Sequence, residues 1–166
     1  MCVSDVKESL VATLDAQRNH VLGILEGLSD EQLRRPVLPS GWSCLGMVKH
    51  LALGVEHYWL RCIVAGESLD FFAVNALDDN RDWDVGPKET GEEVFNLYRD
   101  EIERGNAIIA QTSLDTAPAQ RDDSWGTWQI PDLEYIVLHM ITETACHAGH
   151  LDAARELIDG RQWLVL

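Results

Sequence analysis

One stretch of the sequence concentrates side chains that can bind a metal. His139, Glu143, His147 and His150 follow one another at intervals of four, four and three residues, in a segment with the apolar spacing of a helix. At about 100° per residue, the four side chains fall within roughly 80° of arc, with Cys146 at the edge of that sector. A polar stripe beside a buried face needs a chemical reason, because burying an unpaired glutamate is costly.

Metal binding is such a reason. Residues i and i+4 lie one above the other on a helix, so Glu143 and His147 can contact the same ion, as the paired histidines of zinc proteases do. The alternative is a helical ion pair, which stabilises a helix by only ~0.3–0.5 kcal/mol. His150 is then a further ligand, a group that orients a ligand, or a general base beside the site.

The helix that carries this stripe supplies only two ligands, whereas catalytic zinc usually has three protein ligands and an open position. The second predicted helix carries His50 and His57, seven residues apart on one face. His50 lies among Met47, Leu51 and Gly54 and is the preferred third ligand, because we expect this side of the helix to face the core. For His57, His139 and His20, the alternative is a structural histidine with a satisfied hydrogen bond.

The cysteines suggest packing and not chemistry. Cys2, Cys44, Cys62 and Cys146 form no CxxC pair and have no disulfide or zinc-ribbon spacing. The last three lie among apolar residues, so we expect reduced, buried core side chains. Nucleophilic catalysis by Cys146 with His147 is disfavoured, because adjacent residues on a helix do not face each other.

Four long helices must position these groups. The apolar spacing predicts helices over residues 4–28, 44–65, 91–111 and 131–159. A Thr-x-x-Glu capping box at Thr90 begins the third of them, and Pro131 and Gly160 are suited to the start and the end of the fourth.

The pattern therefore predicts an all-α fold, a four-helix bundle that forms one domain over residues 1–166. Long polar connections, 66–88 and 113–130, join helices 2 and 3 and helices 3 and 4; connections of this length are often functional. A ferritin-like di-iron site needs Glu-x-x-His motifs, which the chain lacks.

Charge and hydropathy limit the classes of partner. The net charge of −15 disfavours nucleic acid and anionic membrane surfaces, because both attract positively charged proteins. The N-terminal sequence has no secretory pattern, and the most apolar region, 46–66, carries several charged residues. We expect a cytoplasmic protein with a small-molecule substrate, and a homodimer, since such bundles often pair through helix faces.

Two segments, PSGWSCLGMVKHLA (39–52) and LHMITETACHAGHLDAARELIDG (138–160), resemble the DinB/YfiT-like superfamily of metal-binding four-helix bundles. The resemblance extends over the whole chain. It implies one histidine ligand on the second helix, at His50, and two ligands four residues apart on the last helix. Glu143 and His147 hold those positions, as in mycothiol-dependent maleylpyruvate isomerases. His150 falls where many members carry glutamine.

The superfamily includes thiol S-transferases that use bacillithiol or mycothiol, and damage-inducible proteins of unclear activity. The resemblance implies a metal-dependent thiol S-transferase that acts on an electrophilic small molecule, with Zn²⁺, Ni²⁺ or another divalent ion lowering the thiol pKa. His150 or His57 would accept the proton. The isomerases carry a further C-terminal domain and this chain ends at Leu166, so we expect the metal site to carry over and not the isomerase reaction.

Two alternatives stay open. One is a non-enzymatic stress-response or partner-binding bundle whose metal is structural, with His150 or Cys146 as a fourth ligand. The other is metal-assisted hydrolysis of a small substrate with the same ligands.

Overall fold

The computed structural model describes residues 3–72 and 81–163, and these residues form helices and loops without any strand, which confirms the all-α prediction. No helix among them combines the length and the hydrophobicity of a membrane-spanning segment. The elements are α1 (Val3–Ile24), α2 (Asp30–Arg34), α3 (Cys44–His50), a π-helical segment (Leu51–Val64), α4 (Gly91–Gln111), a short 3₁₀ turn (Asp123–Trp125) and α5 (Leu133–Asp159).

Side-chain caps fix the helix ends. Thr90 forms the predicted capping box at the start of α4, and Ser29 forms another that begins the short helix α2. The side chain of Asp132 caps α5, so Pro131 lies just before the cap. Gly160 adopts a φ of 79° in the left-handed region and ends α5, as predicted.

The predicted second helix, 44–65, is helical throughout but changes its winding. From Leu51 to Val64 the backbone is π-helical, and beyond its end the N–H of Ala65 still donates to the carbonyl of Leu60 at 3.0 Å. π-Helices are usually single turns and are frequent at functional sites. The wider winding changes which residues share a face, so an α-helical period no longer describes this segment.

The change of winding separates the two histidines of this helix. His50 contacts His147 of α5, with ring centroids 5.2 Å apart. His57 contacts α4, where its Nδ1 lies 3.5 Å from Oε2 of Glu101. The predicted common face of His50 and His57 is therefore wrong, because the i,i+7 relation assumes 3.6 residues per turn throughout.

The long helices share one apolar core. α1 packs along α5, and the π-helical segment packs along both α4 and α5. Leu14, Met47 and Met140 are fully or almost fully removed from solvent in this core. Burying each such side chain stabilises the fold by roughly 1.5–3 kcal/mol.

The cysteines divide into two groups. Cys44 and Cys62 are buried free thiols, as predicted. Cys146 is exposed, so the prediction of a buried residue is wrong, because its side chain lies on the solvent side of α5. Cys2 lies outside the described residues.

A buried ion pair crosses the core. The guanidinium of Arg18 on α1 donates to both carboxylate oxygens of Glu56, at 2.7 and 2.6 Å, and also to Asp15 and Asn106. Burial alone would lower the pKa of Arg18, but the charge and the hydrogen bonds of Glu56 outweigh it and raise this pKa. These bonds join α1 to the π-helical segment through Glu56 and to α4 through Asn106, and each of the three guanidinium nitrogens has a partner.

Candidate metal centre

Helices α3 and α5 bring the predicted ligands to one place. The rings of His50 and His147 meet edge to face, with centroids 5.2 Å apart and an interplanar angle of 85°. Glu143 lies one turn before His147, and its Oε2 is 3.5 Å from His147 Nε2. The imidazoles of His50 and His147 thus meet across the two helices, and the carboxylate of Glu143 lies beside His147.

The loop before α4 holds His50 in place. Oδ2 of Asp82 lies 2.7 Å from Nδ1 of His50, and the Trp83 ring stacks on the imidazole with centroids 4.1 Å apart. A carboxylate on Nδ1 fixes the tautomer and leaves Nε2 for a ligand, which is the usual arrangement around metal-bound histidines. The sequence pointed to the connection 66–88 as functional but did not single out these two residues.

Two glycines make room for this loop. A Cβ on Gly54 would lie 2.8 Å from His50 Nδ1 and 2.9 Å from Asp82 Oδ2. A Cβ on Gly46 would lie 2.7 Å from the backbone oxygen of Trp83. Both contacts are too short for a carbon atom, so only glycine fits at these positions. Gly46 and Gly54, one on each side of His50 in the chain, are therefore the sequence signal that could have located this loop.

His147 is prepared to act as a neutral ligand. Its Nδ1 is buried and has no hydrogen-bond partner among the described residues. Burial, assisted by nearby His50 and opposed by Glu143, lowers the pKa of His147 to about 4. The imidazole is therefore uncharged at neutral pH, which is the form that binds metal.

His150 lies at the exposed edge of the cluster. Its ring centroid is 5.7 Å from that of His147 and 6.2 Å from that of Trp42. Because its side chain is exposed, it can exchange protons with water while staying close to the other histidines.

The remaining histidines lie in other surroundings. His139 packs against Trp59 and Trp128, at centroid distances of 4.8 and 5.4 Å, and burial lowers its pKa. His20 is buried, with Nε2 2.8 Å from Asp152, so it has the structural role that the sequence allowed. The described contacts of His57 are with Arg61, Glu101 and Phe72 and not with the cluster.

A cavity of about 520 Å³ is lined by two tryptophans that contact the histidine cluster and by none of the histidines themselves. Trp83, which stacks on His50, and Trp42, which contacts His150, both line it. This volume is in the range of small-molecule sites, roughly 300–1,000 Å³.

The family model of the mycothiol-S-transferases matches residues 9–160. The chain belongs to this family. Membership confirms the resemblance to the DinB-like superfamily. No curated protein and no solved structure shows a significant match.

For a member of the mycothiol-S-transferase family, a small-molecule thiol is the implied substrate class. Within residues 3–72 and 81–163, no three His, Cys, Asp or Glu side chains already converge as a complete metal site. The donor types nevertheless fit, because two imidazoles and one carboxylate form a known catalytic zinc set. Nδ1 of His147 has no described partner, and the side chain of Glu143 is 40% exposed. Both side chains can therefore reorient to bind an ion.

Proposed function

We propose that this protein is a metal-dependent thiol S-transferase that joins a low-molecular-weight thiol, such as mycothiol, to an electrophilic small molecule. The observation that carries the proposal is the approach of His50 and His147, whose ring centroids are 5.2 Å apart, with Glu143 beside His147. Trp83, which stacks on His50, also lines a cavity of small-molecule size. Membership of the mycothiol-S-transferase family supports the thiol part of the proposal.

The scaffold is part of the same proposal. The pairings of α1 with α5, of α5 with the π-helical segment and of that segment with α4 support a four-helix bundle that forms one domain over residues 1–166. A cytoplasmic location and a homodimer remain predictions from the sequence.

His50, Glu143 and His147 would hold the divalent ion, with Zn²⁺ as the first candidate and Ni²⁺ as another. When bound, such an ion lowers the pKa of a thiol and stabilises the thiolate. Asp82 orients His50 through Nδ1, and the neutral His147 offers a lone pair without first losing a proton. The carboxylate of Glu143 balances part of the positive charge.

In the transfer step, the thiol S–H bond breaks and its proton passes to the imidazole of His150, which is exposed and can release it to water. A sulfur electron pair forms a bond to the electrophilic carbon. The electron pair of the bond that breaks leaves with the departing group, or moves to the neighbouring atom when the electrophile is an activated double bond. His57, engaged with Glu101, is not assigned a role in this step.

Metal loading tests the first half of the proposal. Purified protein is loaded with Zn²⁺ or Ni²⁺, dialysed and analysed for metal. We expect about one ion per chain in the wild type, loss of that ion in His147→Ala, and retention in His57→Ala, a matched histidine variant outside the cluster. A wild-type protein that stays metal-free after loading refutes the site.

An activity assay tests the second half. Metal-loaded protein is given mycothiol, bacillithiol or glutathione together with a chlorodinitrobenzene as a model electrophile. We expect formation of a thioether that depends on both thiol and metal and that falls in His150→Ala. Equal consumption of a hydrolysable substrate without any thiol would instead favour metal-assisted hydrolysis.

A second candidate is a bundle with a structural metal, and it rests on the position of His150, whose ring centroid lies 5.7 Å from that of His147. A metal held by four protein ligands, with His150 as the fourth, would favour a non-enzymatic bundle. Three protein ligands and a bound water favour catalysis. X-ray absorption of the zinc-loaded protein distinguishes the two through the number of imidazoles.

A further inference from the structure

One side of α5 exposes large apolar side chains to solvent. Tyr135, Leu138 and Leu157 lie on the side opposite the core, with 39%, 47% and 59% of their surface exposed. Single exposed apolar residues are ordinary, but several on one helix face indicate an interaction site.

Between these residues the same side of α5 carries small side chains. Thr142, Cys146, Gly149 and Ala153 are exposed and follow one another at intervals of four, three and four residues. At about 100° per residue, they and the three large residues fall within roughly 100° of arc, and we call this surface the outer face. A Cβ on Gly149 would meet no atom of the described residues within 4 Å, so the middle of the outer face is open.

The hydroxyl groups of the outer face already have partners within the chain. The hydroxyl of Thr142 donates to the carbonyl of Leu138 at 3.0 Å, and that of Tyr135 accepts from Nε1 of Trp128 at 3.2 Å. A polar group that keeps its hydrogen bond can be covered at little cost. The outer face can therefore be buried against another protein surface.

The outer face is uncharged, although the chain carries a net charge of −15. Residues 135–153 contain two acidic side chains and no lysine or arginine. Both acidic side chains lie beside the outer face, Glu143 next to His147 at 3.5 Å and Asp152 next to His20 at 2.8 Å. Two acidic molecules repel each other least where such a surface is uncharged, whereas a basic partner would be attracted to the acidic remainder. The charge distribution therefore favours a second copy of this chain as the partner.

The outer face is also complementary to itself. Cys146 is the middle residue of the 27 residues of α5, and Tyr135 and Leu157 lie at equal distances before and after it. In an antiparallel pair of α5 helices with a twofold axis at Cys146, Tyr135 meets the partner's Leu157.

The inner positions of such a pair match in size. Leu138 lies opposite the partner's Ala153, and Thr142 lies opposite the partner's Gly149, so that a larger side chain meets a smaller one in both cases. Small side chains near the axis allow the two helix axes to approach to about 8 Å, the short end of the usual range.

We propose that the outer face of α5 is the interface of a homodimer, in which the two α5 helices pack antiparallel across a twofold axis at Cys146. This gives the homodimer expected from the sequence a defined surface and register. None of the proposed metal ligands, His50, Glu143 and His147, belongs to the outer face. The dimer can therefore be tested separately from the proposed function.

A single charge on the outer face tests the surface. Sedimentation equilibrium gives the dimer Kd of the wild type, Gly149→Glu and Ala107→Glu. We expect a dimer in the wild type and a Kd at least about tenfold higher in Gly149→Glu, because each copy would bury an unpaired carboxylate. Ala107→Glu adds the same charge at an exposed position of α4 and should leave the Kd within about threefold of the wild type.

The fold should survive the change at position 149. Glutamate is a better helix former than glycine, and the structure has open space there. Circular dichroism and thermal denaturation should show a helix content and a stability no lower than those of the wild type, so that a loss of dimer reports on the interface alone.

Cross-linking locates the axis. Cys44 and Cys62 are buried and Cys146 is exposed, so Cys2→Ser protein offers a short bismaleimide the thiol of Cys146. We expect a covalent dimer that disappears when Cys146→Ser is added and falls at least about tenfold when Gly149→Glu is added.

Salt tests the charge argument. Added salt screens the repulsion between two acidic subunits and should lower the dimer Kd. A Kd that rises with salt would indicate a contact between opposite charges and would contradict an uncharged interface. A wild type that stays monomeric, a dimer unaffected by Gly149→Glu, or a dimer that does not cross-link through Cys146 would each overturn the proposal.

Discussion

Two clusters of polar side chains lie between the helices, and they differ in how their polar atoms are satisfied. Around Arg18, the guanidinium makes two hydrogen bonds to Glu56 and further bonds to Asp15 and Asn106. Around His147, a buried Nδ1 has no partner among the described residues, and the nearest carboxylate oxygen is 3.5 Å from Nε2.

The difference separates a structural cluster from a candidate site. A buried guanidinium whose three nitrogens all have hydrogen-bond partners stabilises one packing arrangement and is not available to a ligand. The imidazole of His147 is uncharged at neutral pH and has a buried Nδ1 without a described partner, so it keeps a nitrogen available for a ligand. The exposed ring of His150 gives this second cluster access to solvent and substrate, whereas the Arg18–Glu56 pair at the centre of the first cluster is buried.

Breaking the buried ion pair should have the largest effect. Glu56→Gln leaves Arg18 charged in the core without its main partner, and we expect the free energy of unfolding to fall by about 3 kcal/mol. Urea denaturation measures it. Glu67→Gln removes the 46% exposed partner of Arg61 and should change the same quantity by less than about 1 kcal/mol. A small change in Glu56→Gln would mean that the two clusters do not differ as described.

In the histidine cluster, removing the carboxylate that bonds to His50 should weaken metal binding more than it lowers stability. Asp82→Asn abolishes the carboxylate contact to His50, so we expect metal affinity to fall by about 10–100-fold while the metal-free protein keeps most of its stability. Competition with a chromophoric chelator measures the affinity. Asp84→Asn, two residues away in the same loop, is the control. A stability loss in Asp82→Asn without an affinity loss would make this contact structural.

The ion pair between Lys49 and the partly exposed Glu89 should make a small, pH-dependent contribution to the free energy of unfolding. Burial raises the pKa of this glutamate, but bonds from the Gly86 N–H and from Lys49 outweigh it and lower the pKa. A lowered pKa in the folded state stabilises the protein above the unfolded value, near 4.3, and this contribution disappears as the pH falls through the folded value. Glu89→Gln should therefore destabilise by at most about 1 kcal/mol at pH 7, because the side chain is 41% exposed. The difference between variant and wild type in urea denaturation should shrink below about pH 4, and a constant difference contradicts this assignment.

The smallest effect is expected beside the Arg18 cluster. The buried hydroxyl of Tyr98 has no described hydrogen-bond partner. Tyr98→Phe removes a polar atom whose burial is not compensated, so the free energy of unfolding should stay within about 1 kcal/mol of the wild type or rise. Thermal and urea denaturation test this. A clear loss of stability would show that the hydroxyl bonds to water or to Glu56 in solution.

Sequence patterns located the long helices because their apolar periods and caps are local properties. Thr90 and Gly160 fixed helix ends in the chain where the structure has them. The same local reasoning was wrong where geometry changed along the chain. It assigned His57 to the face of His50, and it placed Cys146 in the core, although α5 turns that thiol to solvent.

The sequence by itself determined the all-α class, the i,i+4 pair of Glu143 and His147, and the resemblance to the DinB-like superfamily that the family match confirms. These depend on residue type and short spacing. Only the tertiary structure decided that Asp82 bonds to His50, that Trp83 stacks on the imidazole of His50, and that Arg18 forms an ion pair with Glu56. Such contacts join residues 32 to 38 positions apart, and they follow from helix packing and loop placement, which no local period encodes.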